Sequence, residues 1–205
     1  GAGNKPVEPV IMNTIEIIRN GKEARKFDAV QIMTDYFDGE EERLAAIEKE
    51  KAEKLAAVQK IKDEFAASID AQKAKAKTLP SGLKVLTLEN GTGEKPAIGN
   101  KVNVMYAGYL MDGTLFDSNY QEIAEKYGAF DERRLQGGGY MPVPMDYSPE
   151  SRLIAGFREG LLTMKVGDKV RLFIPSHLGY GEQGGGPIPP NADLIFDLEI
   201  TGLTE

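Results

Sequence analysis

The sequence predicts an α+β fold: a twisted, mostly antiparallel β-sheet wrapped on one short helix and preceded by a long-helix N-terminal arm. Three observations predict it. Residues 38–77 are rich in Ala, Glu and Lys and hold no proline, the composition of one long helix. At TLPSG (78–82) that composition ends, and glycine and β-branched residues become frequent. Beyond it come strand-like segments at 83–88, 102–109, 169–174 and 193–200, with one amphipathic helical stretch at 154–164 among them.

In chain order, residues 12–27 (MNTIEIIRNGKEARKF) read as a strand that ends at an Asn20-Gly21 turn and leads into a short helix. Residues 12–29 also resemble the closing strand and tail of cyclophilin domains, which would make the chain the C-terminal part of a longer protein; the plainer alternative is a small helical cap. The first residues, GAGNKP, lack methionine, so a processing boundary is expected there, with a signal peptide or lipid-bearing cysteine removed.

The long helix carries Leu44, Ile47, Leu55, Val58, Ile61, Phe65 and Ile69 at steps of three, four or their multiples, a narrow apolar stripe interrupted where Lys51 sits. Such a stripe needs a partner. A solvated spacer packed on its own N-terminal segment and a dimerisation arm fit it equally well. In the second half, Val102, Val104 and Tyr106 share one strand face, as do Val170, Leu172 and Ile174, and Leu194, Phe196, Leu198 and Ile200. These faces can build one core beneath the helix of IAGFREGLLTM (154–164), which Gly167 turns back into a strand. Two parts follow: an arm over 1–78 and a domain over 79–205.

Composition narrows the chemistry. The 205 residues carry a net charge of −7 with acidic and basic residues interspersed, which leaves no electrostatic footprint for nucleic acid. No run approaches the roughly 18 consecutive apolar residues of a membrane span. Cysteine is absent and His177 is the only histidine, so disulfides, thiolate nucleophiles, cysteine-held metals and histidine-dependent triads are excluded or disfavoured. His177 itself reads as a surface residue.

The stretch GYGEQGGGPIPP (179–190) admits three readings: a phosphate cradle, a slack linker, or a shaped lip beside a pocket. The phosphate reading fails, because no Lys and Ser or Thr follow the glycines and the prolines keep a helix from starting there with free N–H groups. VNVMYAGYLMDGTLFDS (102–118), IAGFREGLLTMKVGDKVRLFIP (154–175) and LGYGEQGGGPIPPNADLIFDLEI (178–200), in this order, resemble the FKBP family of peptidyl-prolyl cis-trans isomerases. LPSGLKVLTLENGTG (79–93) looks like the bacterial versions, in which a helical arm precedes the catalytic domain.

The resemblance implies a site built from Tyr106, Phe116, Asp117, Leu153, Ile154, Phe157, Tyr180, Ile188 and Phe196. Phe157 would floor a proline pocket walled by Phe116, Tyr106 and Phe196. The Ile154 N–H and the Tyr180 hydroxyl would donate to the peptide, and Asp117 would orient Tyr106 or polarise the reacting amide. Met145 and Tyr147 would stand where the family carries pocket-edge aromatics. Without the resemblance, Phe157 and Phe196 read as plain core, Tyr106 as a packing tyrosine and Asp117 as the start of a turn.

The same resemblance implies no cofactor. It implies as partners proline-containing peptides and unfolded clients, a rapamycin-type macrolide, and a second copy of the chain through the arm. It points to a bacterial cell envelope or periplasm, with the cytoplasm as the alternative. A chaperone or peptide-binding module of the same fold, with little catalysis, is the competing function. Three departures stand out: Phe157 replaces the family's usual tryptophan, the loop after Tyr180 is about one residue short and lacks a histidine, and an insertion fills 119–150. The insertion reads as a short helix at 121–127, a Gly-Gly-Gly hinge and proline-rich punctuation, either an inert elaboration or a device that shapes substrate access.

Overall fold

The computed structural model describes residues 28–204. The strand and turn expected at 12–27, and nearly all of the cyclophilin-like tail, lie outside the described residues. The chain divides into two compact units, Gly1–Lys51 and Ala52–Glu205.

In the first unit, helix α1 (Ala29–Asp38) opens on Asp28, whose carboxylate accepts from the Val30 and Gln31 N–H groups. Gly39 ends it, and α2 (Glu40–Lys75) begins at once and runs on into the second unit. This is the long proline-free helix that the sequence predicts. No residue of α1 is buried, and Val30, Met33, Phe37, Leu44 and Ile47 are each more than half exposed.

The second unit is a seven-stranded antiparallel sheet comprising β1 (Lys77–Thr78), β2 (Lys84–Glu89), β3 (Lys101–Leu110), β4 (Leu115–Ser118), β5 (Val143–Asp146), β6 (Lys169–Ile174) and β7 (Leu194–Leu203). The order is β1-β2-β6-β7-β3-β4. One edge of β3 pairs with β7 throughout, while its other edge is shared, β5 taking Lys101 to Val104 and β4 taking Ala107 to Tyr109. The insertion therefore contributes a strand of its own. It also forms α3 (Gln121–Lys126), as expected, and α4 (Glu132–Gln136), which the sequence reading does not foresee.

Helix α5 (Ala155–Leu161) covers one face of the sheet. The alternation in the sequence sorts the strands as predicted: Val102, Val104, Val170, Leu172, Ile174, Leu194, Leu198 and Ile200 are buried beneath α5 with Leu161 and Met164. The helix lies very close, since a Cβ on Gly156 or Gly160 would stand 2.5 Å from Ile174 Cγ2 or 2.3 Å from Leu172 Cδ1.

The opposite face is covered too. Ala107, Tyr109, Phe173 and Ile195 point outward from the sheet and pack with Phe65 and Ile69 of α2. Arg171 lies beneath the helix and binds Asp197 through two contacts of 2.6 Å; its Nη1 donates to Gln72 Oε1 at 2.6 Å, and its guanidinium sits 4.6 Å from the Phe65 ring centroid. The predicted stripe thus divides in two. Its C-terminal part, Phe65 and Ile69, meets the sheet, whereas Leu44, Ile47 and Leu55 stay exposed. No described helix is long and apolar enough to cross a membrane.

Candidate active site

Between α5, β4, β7 and the 179–190 segment lies a cavity of about 620 Å³, lined by Tyr106, Phe116, Asp117, Val143, Met145, Arg152, Leu153, Ile154, Phe157, Tyr180, Gly185, Pro187, Ile188 and Phe196. That size suits a small ligand or a few peptide residues. Phe157, at 5% exposure, rises from α5 with its ring perpendicular to that of Phe196, the centroids 5.2 Å apart. Phe116 meets Phe196 edge-on at 5.4 Å, and Tyr106 meets Phe157 edge-on at 6.3 Å. Edge-to-face contacts of this kind hold each ring against its neighbours, so the walls are set before any ligand arrives.

The aromatic cluster depends on Gly108 of β3. A Cβ there would lie 2.5 Å from Phe116 Cζ and 2.8 Å from Phe196 Cε1, so only a residue without a side chain lets the two rings meet across the strand.

One polar group crosses this apolar wall. The Tyr106 hydroxyl donates to Asp117 Oδ2 at 2.6 Å, and Arg134 Nη1 donates to Asp117 Oδ1 at 2.7 Å. Burial, followed by the hydrogen bond to Asp117, pushes the Tyr106 pKa up to about 12, so this hydroxyl stays protonated and donating at neutral pH. Burial alone would lower the Arg134 pKa, but the hydrogen bond and charge of Asp117 outweigh it and raise the guanidinium further.

Arg134 comes from the insertion. Asp131 caps the start of α4, Arg134 Nε donates to the Gly139 carbonyl at 3.2 Å, and the guanidinium sits 5.3 Å from the centroid of the Tyr140 ring, which stacks on Phe130. The base of the insertion is tied by Asn119, which is fully buried. Its Oδ1 accepts from Tyr106 N–H at 2.6 Å, and its Nδ2 donates to the carbonyls of Val104 and Met141, each at 3.0 Å. Sequence reasoning named neither Asn119 nor Arg134.

The glycine-rich stretch is a tied loop. Gly185 and Ile188 exchange backbone hydrogen bonds of 2.9 Å, and Asn191 N–H donates to the Gly181 carbonyl at 2.8 Å. The turn presses the Tyr180 ring against Gly185, leaving the tyrosine 41% exposed at the mouth while Ile188 is buried. On the other side of the mouth, Ile154 is the N-cap of α5, with extended ψ and no side-chain cap, so the first N–H groups of the helix have no capping side chain.

The structure brings to the cavity Tyr106, Phe116, Asp117, Met145, Leu153, Ile154, Phe157, Tyr180, Ile188 and Phe196, all expected there, and adds Val143, Arg152, Gly185 and Pro187. Tyr147 is the exception. It is fully buried away from the lining, its hydroxyl donating to the carbonyls of Leu162 and Met164 at 2.9 and 3.1 Å, so it holds the turn after α5 instead of edging the pocket. His177 is exposed, with Nε2 3.2 Å from the Ser81 carbonyl.

Residues 92–201 match the family model described as FKBP-type peptidyl-prolyl cis-trans isomerase. The chain belongs to this family. An FKBP-type peptidyl-prolyl cis-trans isomerase FkpA of Aeromonas hydrophila is 35% identical over 184 residues, a match that takes in 89% of this chain and 60% of that protein. The chain therefore spans less than two thirds of that relative. FK506-binding protein 1B of Neurospora crassa is 41% identical over 123 residues, which is 60% of this chain and 98% of the fungal protein. Among solved structures, FkpA from Escherichia coli superposes with a TM-score of 0.51 at 30% identity, over 86% of this chain and 73% of that one. The two bacterial matches extend into the arm, while the fungal match is of domain size. In this FKBP domain Phe157 of α5 lies in the cavity lining, packed edge-on against Phe196.

Proposed function

We propose that the chain catalyses cis-trans isomerisation of X-Pro peptide bonds in folding proteins. The observation that carries this reading is the preformed aromatic cavity, with Tyr106, Asp117 and Arg134 crossing one wall and the uncapped start of α5 at its mouth. Isomerisation must pass a barrier of about 18–20 kcal/mol set by amide resonance, and no covalent bond is made or broken. No nucleophile is needed. Twisting the amide makes its carbonyl less polar and its nitrogen more amine-like, so a dry aromatic cavity favours the twisted form over either planar one.

In this reading the proline ring rests on Phe157 between Phe116, Tyr106 and Phe196. The Ile154 N–H and the Tyr180 hydroxyl take the peptide carbonyls. Asp117, held by two donors, keeps the Tyr106 hydroxyl aimed and places a negative charge beside the twisting amide. The insertion acts on the site through Arg134, which supports a role in shaping access. Exchange in a short Leu-Pro peptide, followed by NMR, tests the reading: the parent accelerates it, and Asp117→Ala slows it by about tenfold or more. A parent that leaves the exchange rate unchanged would sink the enzyme and leave a peptide-binding module.

The arm is proposed to join two copies of the chain, because α1 and the start of α2 leave an apolar surface uncovered. Removing residues 1–78 would also strip Phe65 and Ile69 from the sheet, so the informative truncation is of residues 1–51. Light scattering should give a dimer that becomes a monomer on that truncation; a monomeric parent at every concentration retires the idea. A rapamycin-type macrolide should enter the same cavity and compete with the peptide, burying less ring area on Phe157 than it would on tryptophan. A bacterial cell envelope is the proposed location, in line with the bacterial relatives that share the arm; fractionation of the source cells tests it.

A further inference from the structure

The lining of the cavity holds one cation that makes no ion pair among the described residues. Asp117 is the one carboxylate among the lining residues, and both of its oxygens are already engaged, by Tyr106 and by Arg134. Arg152 lines the same cavity, is exposed, and has no ion pair or side-chain hydrogen bond among the described residues. Its backbone is held on both sides, since Arg158 Nη1 donates to the carbonyls of Ser151 and Leu153 at 2.9 and 3.3 Å. The acid two positions earlier, Glu150, is bound to Ser148 Oγ. Arg152 is therefore an exposed cation of the lining, next in sequence to Leu153 and Ile154, with no ion-pair partner among the described residues, on a molecule whose net charge is −7.

We infer that Arg152 is a specificity-determining residue that makes the site prefer X-Pro segments carrying a carboxylate next to the proline over those carrying an ammonium there. A side chain flanking a proline seated on Phe157 must pass over the rim. A carboxylate there meets a planar fork of donors, and an ammonium meets like charge. Each effect is that of an exposed pair, so together they separate the two peptides by roughly threefold to tenfold at low salt. The inference rests on the isomerase reading for its consequence in turnover, but the preference itself is one of binding.

The test uses the full chain and peptides that differ only in one residue flanking proline, Glu or Lys, on either side in turn. Affinity is read by fluorescence anisotropy and turnover by NMR exchange, with a Leu-Pro peptide as neutral reference. Glu should lead Lys in the parent on at least one side of the proline. The ratio should fall toward one in Arg152→Gln, reverse in Arg152→Glu, and collapse near 1 M salt, where the screening length is about 3 Å. Because each variant is judged by its own Glu-to-Lys ratio, partial misfolding does not mimic the result. Equal affinities in the parent overturn the inference. So does a ratio that survives Arg152→Gln but collapses in Arg134→Gln, which would assign the charge to the insertion. Absence of Leu-Pro turnover overturns the isomerase reading alone, and the affinity ratio still decides the role of Arg152.

Discussion

Gly108 is not among the residues that line the cavity, yet substituting it should damage the site more than its size suggests. In Gly108→Ala the new methyl group would lie 2.5 and 2.6 Å from Phe116 Cζ and Cε2 and 2.8 Å from Phe196 Cε1, while ordinary contact begins at 3.4 Å. The Phe116 ring must therefore retreat by about an ångström. It cannot do so alone, because Phe116 is edge-on to Phe196 and Phe196 is edge-on to Phe157. Overpacking of a well-filled core costs about 1–3 kcal/mol, which for a chain of this size lowers the melting temperature by roughly 2–10 °C. The larger effect falls on catalysis, since a misplacement of about 1 Å in a preorganised site costs up to about 10²-fold. Urea unfolding and X-Pro exchange, both measured well below the melting temperature, separate the two effects. The expected result is a folded variant with kcat/KM reduced by about 10- to 100-fold. Exchange within twofold of the parent would refute the claim that the glycine exists to let these rings meet.

Two further outcomes follow from the polar pairs. Asp197→Ala leaves the Arg171 guanidinium, whose side chain is 12% exposed, without its carboxylate, and should cost about 3–5 kcal/mol in urea unfolding; a loss below about 1 kcal/mol would mean that Gln72 and the Phe65 ring suffice to hold it. Tyr106 has a pKa of about 12 in the folded chain against about 10 when free, so the folded state holds its proton more tightly. The stabilisation it contributes is complete below pH 10 and is lost as pH rises from about 10 to 12. The difference in tyrosinate absorbance between parent and Tyr106→Phe should appear only in that upper range, and a transition below pH 10 would break the assignment.

The parts of this molecule that are legible in its sequence are those written as a period. Alternation along residues 102–109 and 194–200 gives Val102 and Val104 the face they are found on, under α5, whereas the cover that α2 lends to Ala107 and Tyr109 on the other face is not part of that reading. The helical stripe reports equally well that one face of α2 needs cover, but a one-dimensional pattern does not name what covers it. Phe65 and Ile69 find the sheet, while Leu44, Ile47 and Leu55 belong to the same stripe and do not. Tyr147 shows the opposite error. Its place near the pocket motifs suggests an edge residue, but its ring is fully buried and its hydroxyl donates to the carbonyls of Leu162 and Met164.

Arg134 was illegible for a different reason. It reaches Asp117 only because the insertion closes on itself, and that closure depends on Asn119 bonding the carbonyls of Val104 and Met141, residues 15 and 22 positions away. No local signal encodes such a bond. The most consequential pairing in the domain is nevertheless between neighbours. On β7, Phe196 turns into the cavity, and Asp197, the next residue, turns out beneath α2 to hold Arg171 and, through it, Gln72. The period of two thus places the pocket wall and the seat of the helix on opposite sides of one strand. A shift of that strand felt at one face must be felt at the other, so substitutions at Gln72 or Asp197 should register in the exchange rate as well as in stability.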